Sequence, residues 1–533
     1  MTESTRRWWA MGAIALSTLV VGLDLTVLTL ALPTIARTMH GSTGDLQWIT
    51  DAYSLVMAAL MLPAGLLGDR YGRKKLLLAS LVIFVLSSVW VAYSASIGEL
   101  IAARAVLGVG AAAVFPMAIA VIPVLFREDE RQKAIMMMAA AMFVSYPIGP
   151  VLGGFLLDHF WWGSVFLINV PVVALAIPAV VFLLPESRAA SPPSLDAGGI
   201  VISSAGLTAL TYGFIRAGER GWTDAAALAT MIAGVLVLAL FVWWERFTVA
   251  RGRPPLVDLT LFTVPGFRWG TILMTCVTFA MFGLMFTVPL YFQDVRGATP
   301  LAAGVRLLPM VGGLMAGMAL GGRLSSGRSS AGGGTLPPLI SAKAAVTAGF
   351  GLMAGGLVIG AFTTPGSATG FALAWIAVMG AGLGAALPSA MNAAVVPLTE
   401  ERSASGGALI QAVRQVGATI GVAVLATILS NAYTSRLPGL ARLPAPAADA
   451  VRSGVAGGVA VARAASSPAL LAEVRTAFIG GMDVMLWTCG GIAIASALLA
   501  LLFLPRGSGG HNEEGGARES EAGYQPPRQP AGT

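Results

Sequence analysis

Apolar residues do not alternate with polar ones along this chain; they run in blocks of about 20, separated by short polar breaks. An α-helix rises about 1.5 Å per residue, so each block matches the roughly 30 Å hydrocarbon core of a bilayer. Read this way, the chain predicts fourteen membrane-crossing helices, at about 9–31, 46–67, 75–96, 100–124, 134–157, 164–184, 196–216, 225–246, 268–292, 301–322, 343–362, 368–396, 405–431 and 477–504. Two of them depart from the pattern: 196–216 is rich in Gly and Ser, and 301–322 carries Arg306. The first block contains an aspartate and lacks a small-residue cleavage site, so it reads as a first span and not as a signal peptide. Residues 432–476, rich in Ala, Gly, Pro and Ser, read as a long loop with room for one short helix, and 505–533 as a disordered polar tail.

Composition removes the soluble alternative. Of 533 residues, 56% are hydrophobic and only 11% charged, against roughly 25% charged in soluble domains. Mean hydropathy is +0.79. A net charge of +7 suggests a nucleic-acid partner only until the charges are placed. They lie almost entirely between the apolar blocks, where basic residues set topology and do not bind phosphate backbones. One side of the bundle collects Arg6, Arg7, Arg70, Arg73, Lys74, Lys75, Arg127, Arg131, Lys133, Arg251, Arg253 and Arg402. The short loops of the other side hold Arg37, Arg216, Arg220 and Arg296. An even number of spans and this asymmetry place both termini in the cytoplasm, with the chain in the cytoplasmic membrane. Cys276 and Cys489 fall inside apolar blocks, and His40, His159 and His511 are far apart, so neither a disulfide framework nor a metal site is expected.

Charged side chains at membrane depth are costly, which marks them as functional candidates. Asp24 lies about seven residues, or roughly 10 Å, inside the first span, and Asp51 about 8 Å inside the second from the same outer face. Antiparallel neighbours would hold the two carboxylates at similar depth, where burial favours their protonated form and proton exchange becomes possible. The bland alternatives are a structural hydrogen bond with Thr26 or with a neighbouring helix for Asp24, and a wetted or capping position for Asp51. Arg104 in the fourth span needs a carboxylate or backbone carbonyls as partner. Arg306 and Arg414 lie nearer helix ends, where they can snorkel. Tyr53, Tyr146, Asn169, Gln293, Asn392 and Gln411 are neutral polar residues that could face a cavity or bridge helices. Tyr53, Tyr146, Asn392 and Gln411 are taken as the candidate cavity set.

Several local patterns go beyond physics. The second-to-third-span turn reads Gly65-Leu66-Leu67-Gly68-Asp69-Arg70-Tyr71-Gly72-Arg73-Lys74-Lys75. Gly65 and Gly72 permit close approach and a tight turn, and Asp69 can accept from a helix N-terminus or from an arginine of the opposite half. The spacing resembles the signature loop of the major facilitator superfamily, G-x-L-x-D-r-x-G-r-k-x. Leu23-Asp24-Leu25-Thr26-Val27 with Ala31-Leu32-Pro33, and Trp48-Ile49-Thr50-Asp51-Ala52-Tyr53-Ser54-Leu55, are similar to the first- and second-span motifs of its fourteen-span drug:proton antiporters. Leu100 to Gly108, centred on Arg104, resembles the fourth-span motif l-x-x-x-R-x-x-x-G, whose arginine is tied to proton coupling in that family. Gly149-Pro150-Val151-Leu152-Gly153-Gly154 resembles the core of the fifth-span antiporter motif, with Ser145 where a glycine usually stands. Phe166 to Pro171 and Arg414 to Ala423 complete the set. In bare physics, Pro147 and Pro150 bend that fifth helix and Gly149, Gly153 and Gly154 thin it, so it can press on a helix of the other half.

The resemblance covers nearly the whole chain. It implies an all-α membrane protein with the major facilitator fold: a six-helix half over 1–185, two linker spans over 186–262, and a second six-helix half over 263–504. It implies a monomeric exporter in which a proton gradient, and no cofactor, drives small amphipathic or cationic compounds outward. Asp24, Asp51 and Arg104 would couple protons, and Gly65, Asp69, Arg70, Gly72 and Arg73 would form the cytoplasmic gate loop. Relatives that admit dications carry acids in the tenth and thirteenth spans, but the stretches 308–314 and 406–411 contain none, which turns the expectation toward monovalent or neutral cargo. The loop that should repeat Asp69 in the second half, Gly322 to Lys343, also lacks the aspartate. A dedicated exporter of one endogenous metabolite is the alternative. An importer is disfavoured, because the first-span E-x-x-E-R pattern of fourteen-span peptide importers is absent and Glu245-Arg246 does not replace it.

Overall fold

The computed structural model describes residues 3–188, 196–252, 259–325, 328–329, 335–336, 341–395, 400–437 and 443–505. The first group of helices is α1 Glu3–Met39, α2 Thr43–Tyr71, α3 Arg73–Ala92, α4 Ile97–Ala112, α5 Val114–Leu125, α6 Glu128–His159, α7 Ser164–Leu167 and α8 Asn169–Leu183. Two linker helices follow, α9 Ala197–Arg220 and α10 Ala225–Ala250. The second group is α11 Pro265–Leu290, α12 Pro300–Ser325, α13 Ala342–Gly360, α14 Thr369–Val395, α15 Glu400–Thr434, α16 Ala445–Arg452, α17 Val455–Ala464 and α18 Pro468–Phe503. A two-residue antiparallel pairing, Arg328–Ser329 with Thr335–Leu336, is the only extended structure among the described residues.

Among the described residues twelve helices are long and apolar enough to cross a bilayer, and a thirteenth is α2, bent by 50° between Met61 and Pro63. Proline there cannot donate to the preceding turn and its ring crowds it, which bends the helix. The remaining expected span, 134–157, coincides with α6, 32 residues long, several of whose side chains lie outside the described set. Several spans are composite. Ile97–Ile122 joins α4 to α5, and Ser164–Leu183 joins α7 to α8. The glycine-rich 196–216 and the Arg306-bearing 301–322 are both helical. The long loop departs from expectation: it holds two short helices, α16 and α17, and α18 begins at Pro468. The tail 506–533 lies outside the described residues.

Within the first group α1 packs on α6 and α8, and α2 on α4. Within the second, α12 and α13 pack on α14, α11 on α15, and α13 on α18. The groups meet along two seams, α2 with α15 and α6 with α12, while α9 touches both α2 and α15. The α12–α14 contact is made by small residues: a Cβ on Gly313 or Gly317 would strike the Ala377 or Ala381 carbonyl, and one on Gly380 or Gly384 the Met310 or Leu314 carbonyl. Such spacing lets two backbones approach where lipid supplies no hydrophobic drive between helices. Only 17% of the apolar stretch of α10 is buried, so that helix turns most of its surface, including Ile232, Leu236 and Trp243, to lipid.

Candidate functional site

Two caps set the frame of the site. Ser42 accepts from the Asp45 backbone at 3.2 Å while the Asp45 carboxylate accepts from the Ser42 backbone at 2.8 Å, which starts α2 upstream of Asp51. Ser96 caps α4 through the Glu99 backbone N–H at 3.2 Å, upstream of Arg104.

Asp24 and Arg104 are 2% and 0% exposed, and their side chains meet at 2.6 Å between Nη1 and Oδ2. Arg104 Nε also donates to the Ile49 carbonyl at 3.1 Å. Its guanidinium carbon lies 4.5 Å from the centre of the Tyr53 ring and 5.9 Å from that of Phe166. Asn169 Nδ2 donates to Asp24 Oδ1 at 3.3 Å and to Ser88 Oγ at 3.1 Å. Helices α1, α2, α3, α4 and α8 therefore converge here. The carboxylate is held by a cation on one oxygen and an amide on the other, while Arg104 Nη2 has no partner. Of these groups, Ser88 was not singled out in the sequence. Its only signal is a small polar residue at mid-depth of an apolar run.

Asp51 behaves differently. It is 0% exposed and neither carboxylate oxygen has a hydrogen-bond partner. The Ile49 carbonyl and the Tyr53 ring address Arg104 from one face of α2, and a residue two positions from either lies about 200° round the helix. Asp51 shares its face instead with Gln47, whose amide reaches the Ala423 carbonyl of α15 at 3.5 Å. Asp24 is tied to Arg104, while Asp51, equally buried, lies on the Gln47 face of α2. Of the structural partners expected for Asp24, neighbouring helices supply theirs through Arg104 and Asn169, and Thr26 does not bond it. Its hydroxyl goes to the Gly22 and Leu23 carbonyls and across to the Ser145 carbonyl of α6 at 3.3 Å.

At the turn between α2 and α3 Gly72 has φ +121°, a region that glycine adopts without cost, and it separates the two helices. Arg73 Nη2 and Nε reach Asp69 Oδ1 at 2.7 and 2.9 Å, and its Nη1 donates to the Ala120 carbonyl at 2.8 Å. The backbone N–H of Arg73 donates to the Ser187 carbonyl at 2.9 Å, and that of Lys74 to Glu186 at 3.3 Å. Among the described residues Asp69 is therefore paired inside its own loop, with Arg73. Arg70 stays at the surface, 5.8 Å from the Tyr71 ring. Gly65 has open space where a side chain would begin; the close approach is at Gly68, against Met117.

The fifth-span motif faces two ways. A Cβ on Gly149 would strike the Thr26 hydroxyl and one on Gly153 would come within 3.1 Å of Val27, both on α1. Gly154 faces the other half, with Leu301 Cα 2.6 Å from such a Cβ, and the Pro150 carbonyl lies against Gly304 of α12. The Tyr146 and Pro147 side chains lie outside the described set. In the candidate cavity set, Tyr53 belongs to the Arg104 cluster, Gln411 is half-buried on α15, and Asn392 is exposed near the end of α14.

Hydrogen bonds join the two halves at the end opposite the Asp69 loop: Gln293 to the Leu30 carbonyl at 3.0 Å, Arg37 to Gln293 at 3.5 Å, and Gln47 to Ala423. Residues 14–422 match the family described as the Major Facilitator Superfamily. The chain belongs to that superfamily. Among similar proteins of this superfamily, the tetracenomycin C resistance and export protein of Streptomyces glaucescens is 31% identical over 507 residues, covering 93% of this chain and 91% of that protein. The multidrug efflux pump LfrA of Mycolicibacterium smegmatis is 32% identical over 485 residues, with 90% and 92% covered. The methyl viologen resistance protein SmvA of Salmonella typhimurium is 31% identical over 502 residues, with 92% and 97% covered. Among solved structures, an inward-facing, unoccupied bacterial homologue of the lysosomal transporter Spinster superposes with a TM-score of 0.64 at 17% identity, covering 95% of this chain and 99% of that one. That likeness establishes the transporter fold.

Proposed function

We propose that this major facilitator transporter exports small amphipathic or cationic compounds across the cytoplasmic membrane in exchange for protons. The observation that carries the reading is the fully buried Asp24–Arg104 pair with Asn169 on the second carboxylate oxygen. A carboxylate in a water-poor bundle keeps its charge only while its cation stays beside it, so protonation and release of Arg104 are one event. Rearrangement of α1 against α4 then reaches the α1–α6 contact at Thr26 and Ser145, and through Gly154 the α12 seam. The relatives' roles in drug resistance and export support the outward direction. The chain acts as a monomer with both termini inside, and the Asp69–Arg73 loop steadies the cytoplasmic ends of α2, α3, α5 and α8.

The deciding measurement is uptake of a fluorescent cationic dye into inside-out proteoliposomes under an imposed pH difference. Wild type concentrates the dye and Asp24→Asn does not. Dye accumulation by the variant equal to wild type would remove Asp24 from the coupling. A second reading, export of one endogenous metabolite, is favoured by the likeness to the tetracenomycin C export protein. A panel of unrelated dyes in the same assay separates them, since a dedicated exporter concentrates none.

A further inference from the structure

At the end of the bundle opposite the Asp69 loop, a pocket of about 350 Å³ opens in the second half. Its walls are Val295 and Arg296 after α11, Arg306 of α12, Pro365 and Thr369 at the α13–α14 connection, and Arg475 near the start of α18. It lies apart from the Asp24–Arg104 cluster and is not part of either seam between the halves.

Three guanidinium groups from three elements share this space. Arg296 is pinned to the wall by donating to the Pro365 carbonyl at 3.3 Å and to Thr369 Oγ1 at 3.2 Å, both neutral acceptors. Arg306 has its guanidinium carbon 5.6 Å from the Phe292 ring centre. Arg475 Nε is buried without a hydrogen-bond partner. No carboxylate lines the pocket, and none lies within ion-pair distance of these arginines among the described residues. Asp294 is buried and faces the charges of Arg37 and Arg463, and Glu473 is exposed outside the pocket lining.

Like charges gathered without a counter-charge repel, most strongly where water is partly excluded, so the arrangement is complete only with an anion in it. Planar guanidinium forks from several directions suit the tetrahedral oxygens of a phosphate. The volume is far larger than an inorganic ion needs and falls in the range of small-molecule sites. Beside the Pro365 wall, Ile359 and Phe362 are 44% and 64% exposed, an apolar surface that an acyl chain can follow. We propose that this pocket binds the phosphate of an anionic phospholipid headgroup.

The test is native mass spectrometry of the purified full-length chain in detergent with added phosphatidylglycerol or phosphatidylcholine. Wild type is expected to retain phosphatidylglycerol preferentially. The triple variant Arg296→Gln, Arg306→Gln, Arg475→Gln should bind it at least about tenfold more weakly, because each charge-assisted hydrogen bond is worth at least that factor. Arg475→Gln alone, which leaves the Arg296 tie to Thr369 intact, must already lower retention; this guards against a triple variant that fails to fold. Equal retention by the variants, or no preference over phosphatidylcholine, overturns the proposal. Inorganic phosphate raising the melting temperature of wild type as much as the lipid does would also overturn it, assigning the pocket to a free anion.

Discussion

Removing one partner of the Asp24–Arg104 pair strands the other charge in a buried site, which costs about 3–5 kcal/mol where such pairs have been broken in proteins. Arg104→Ala is therefore expected to lower the thermal midpoint of the purified transporter more than Asp24→Asn. The Asp24→Asn amide still offers an oxygen to Asn169, and Arg104 keeps the Ile49 carbonyl. A midpoint for Arg104→Ala equal to wild type would contradict the burial argument. Asn169→Ala removes a single hydrogen bond to each of Asp24 and Ser88. The expected loss is about 1–3 kcal/mol, readable as an earlier melting transition; a midpoint equal to wild type would contradict it. Asp51→Asn leaves this cluster untouched, so its consequence should appear in transport and not in the Arg104 environment.

At the level of elements, two glycines carry sharply different loads. Gly72 stands between two helices at φ +121° with the Glu186 carboxylate 2.6 Å from where a Cβ would be. Gly72→Ala should destabilise by about 1–3 kcal/mol through backbone strain, readable as an earlier melting transition. Gly154 sits in unstrained helix, but its neighbour is the Leu301 backbone at 2.6 Å. Gly154→Leu must therefore push α6 away from α12, and the expected outcome is loss of transport with the Asp24–Arg104 cluster still folded. Gly65→Ala, which meets open space, should change neither. The element boundaries themselves follow from local chemistry: Ser42 with Asp45 starts α2, Ser96 starts α4, and Pro63 bends the gate end of α2 by 50°.

Over the whole molecule, the end carrying Gln293 and Arg37 is the one where these hydrogen bonds tie the halves, while the Asp69–Arg73 pair lies within its own half. Among the described residues, opening the tied end breaks few hydrogen bonds. Gln293→Ala removes the bonds to Leu30 and Arg37, each worth about 0.5–1.5 kcal/mol net, enough to change the ratio of conformers several-fold. Spin labels placed across that end should show the longer-distance population rising in the variant. No change in the distance distribution would mean that the α2–α15 and α6–α12 seams alone hold the end closed.

Much of this was written linearly. Apolar block length set where helices cross, because a bilayer demands about 20 apolar residues wherever the chain passes through it. Asp24, Arg104 and Asp69 were visible because a charge in or beside an apolar run is costly enough to need a reason, whereas the 50° bend at Pro63 of α2 was not expected. Partners were not visible. Which carboxylate meets Arg104 depends on helix rotation, and a residue two positions away on α2 faces the other way: Tyr53 joins the arginine while Asp51 lies on the Gln47 face. Asp69 paired with Arg73 inside its own turn because the Gly72 break brings that side chain back over the end of α2. Ser88, the two-sided packing of Gly149 and Gly154, and the gathering of Arg296, Arg306 and Arg475 from separate helices arise only once the bundle closes, since these are distances between segments far apart along the chain.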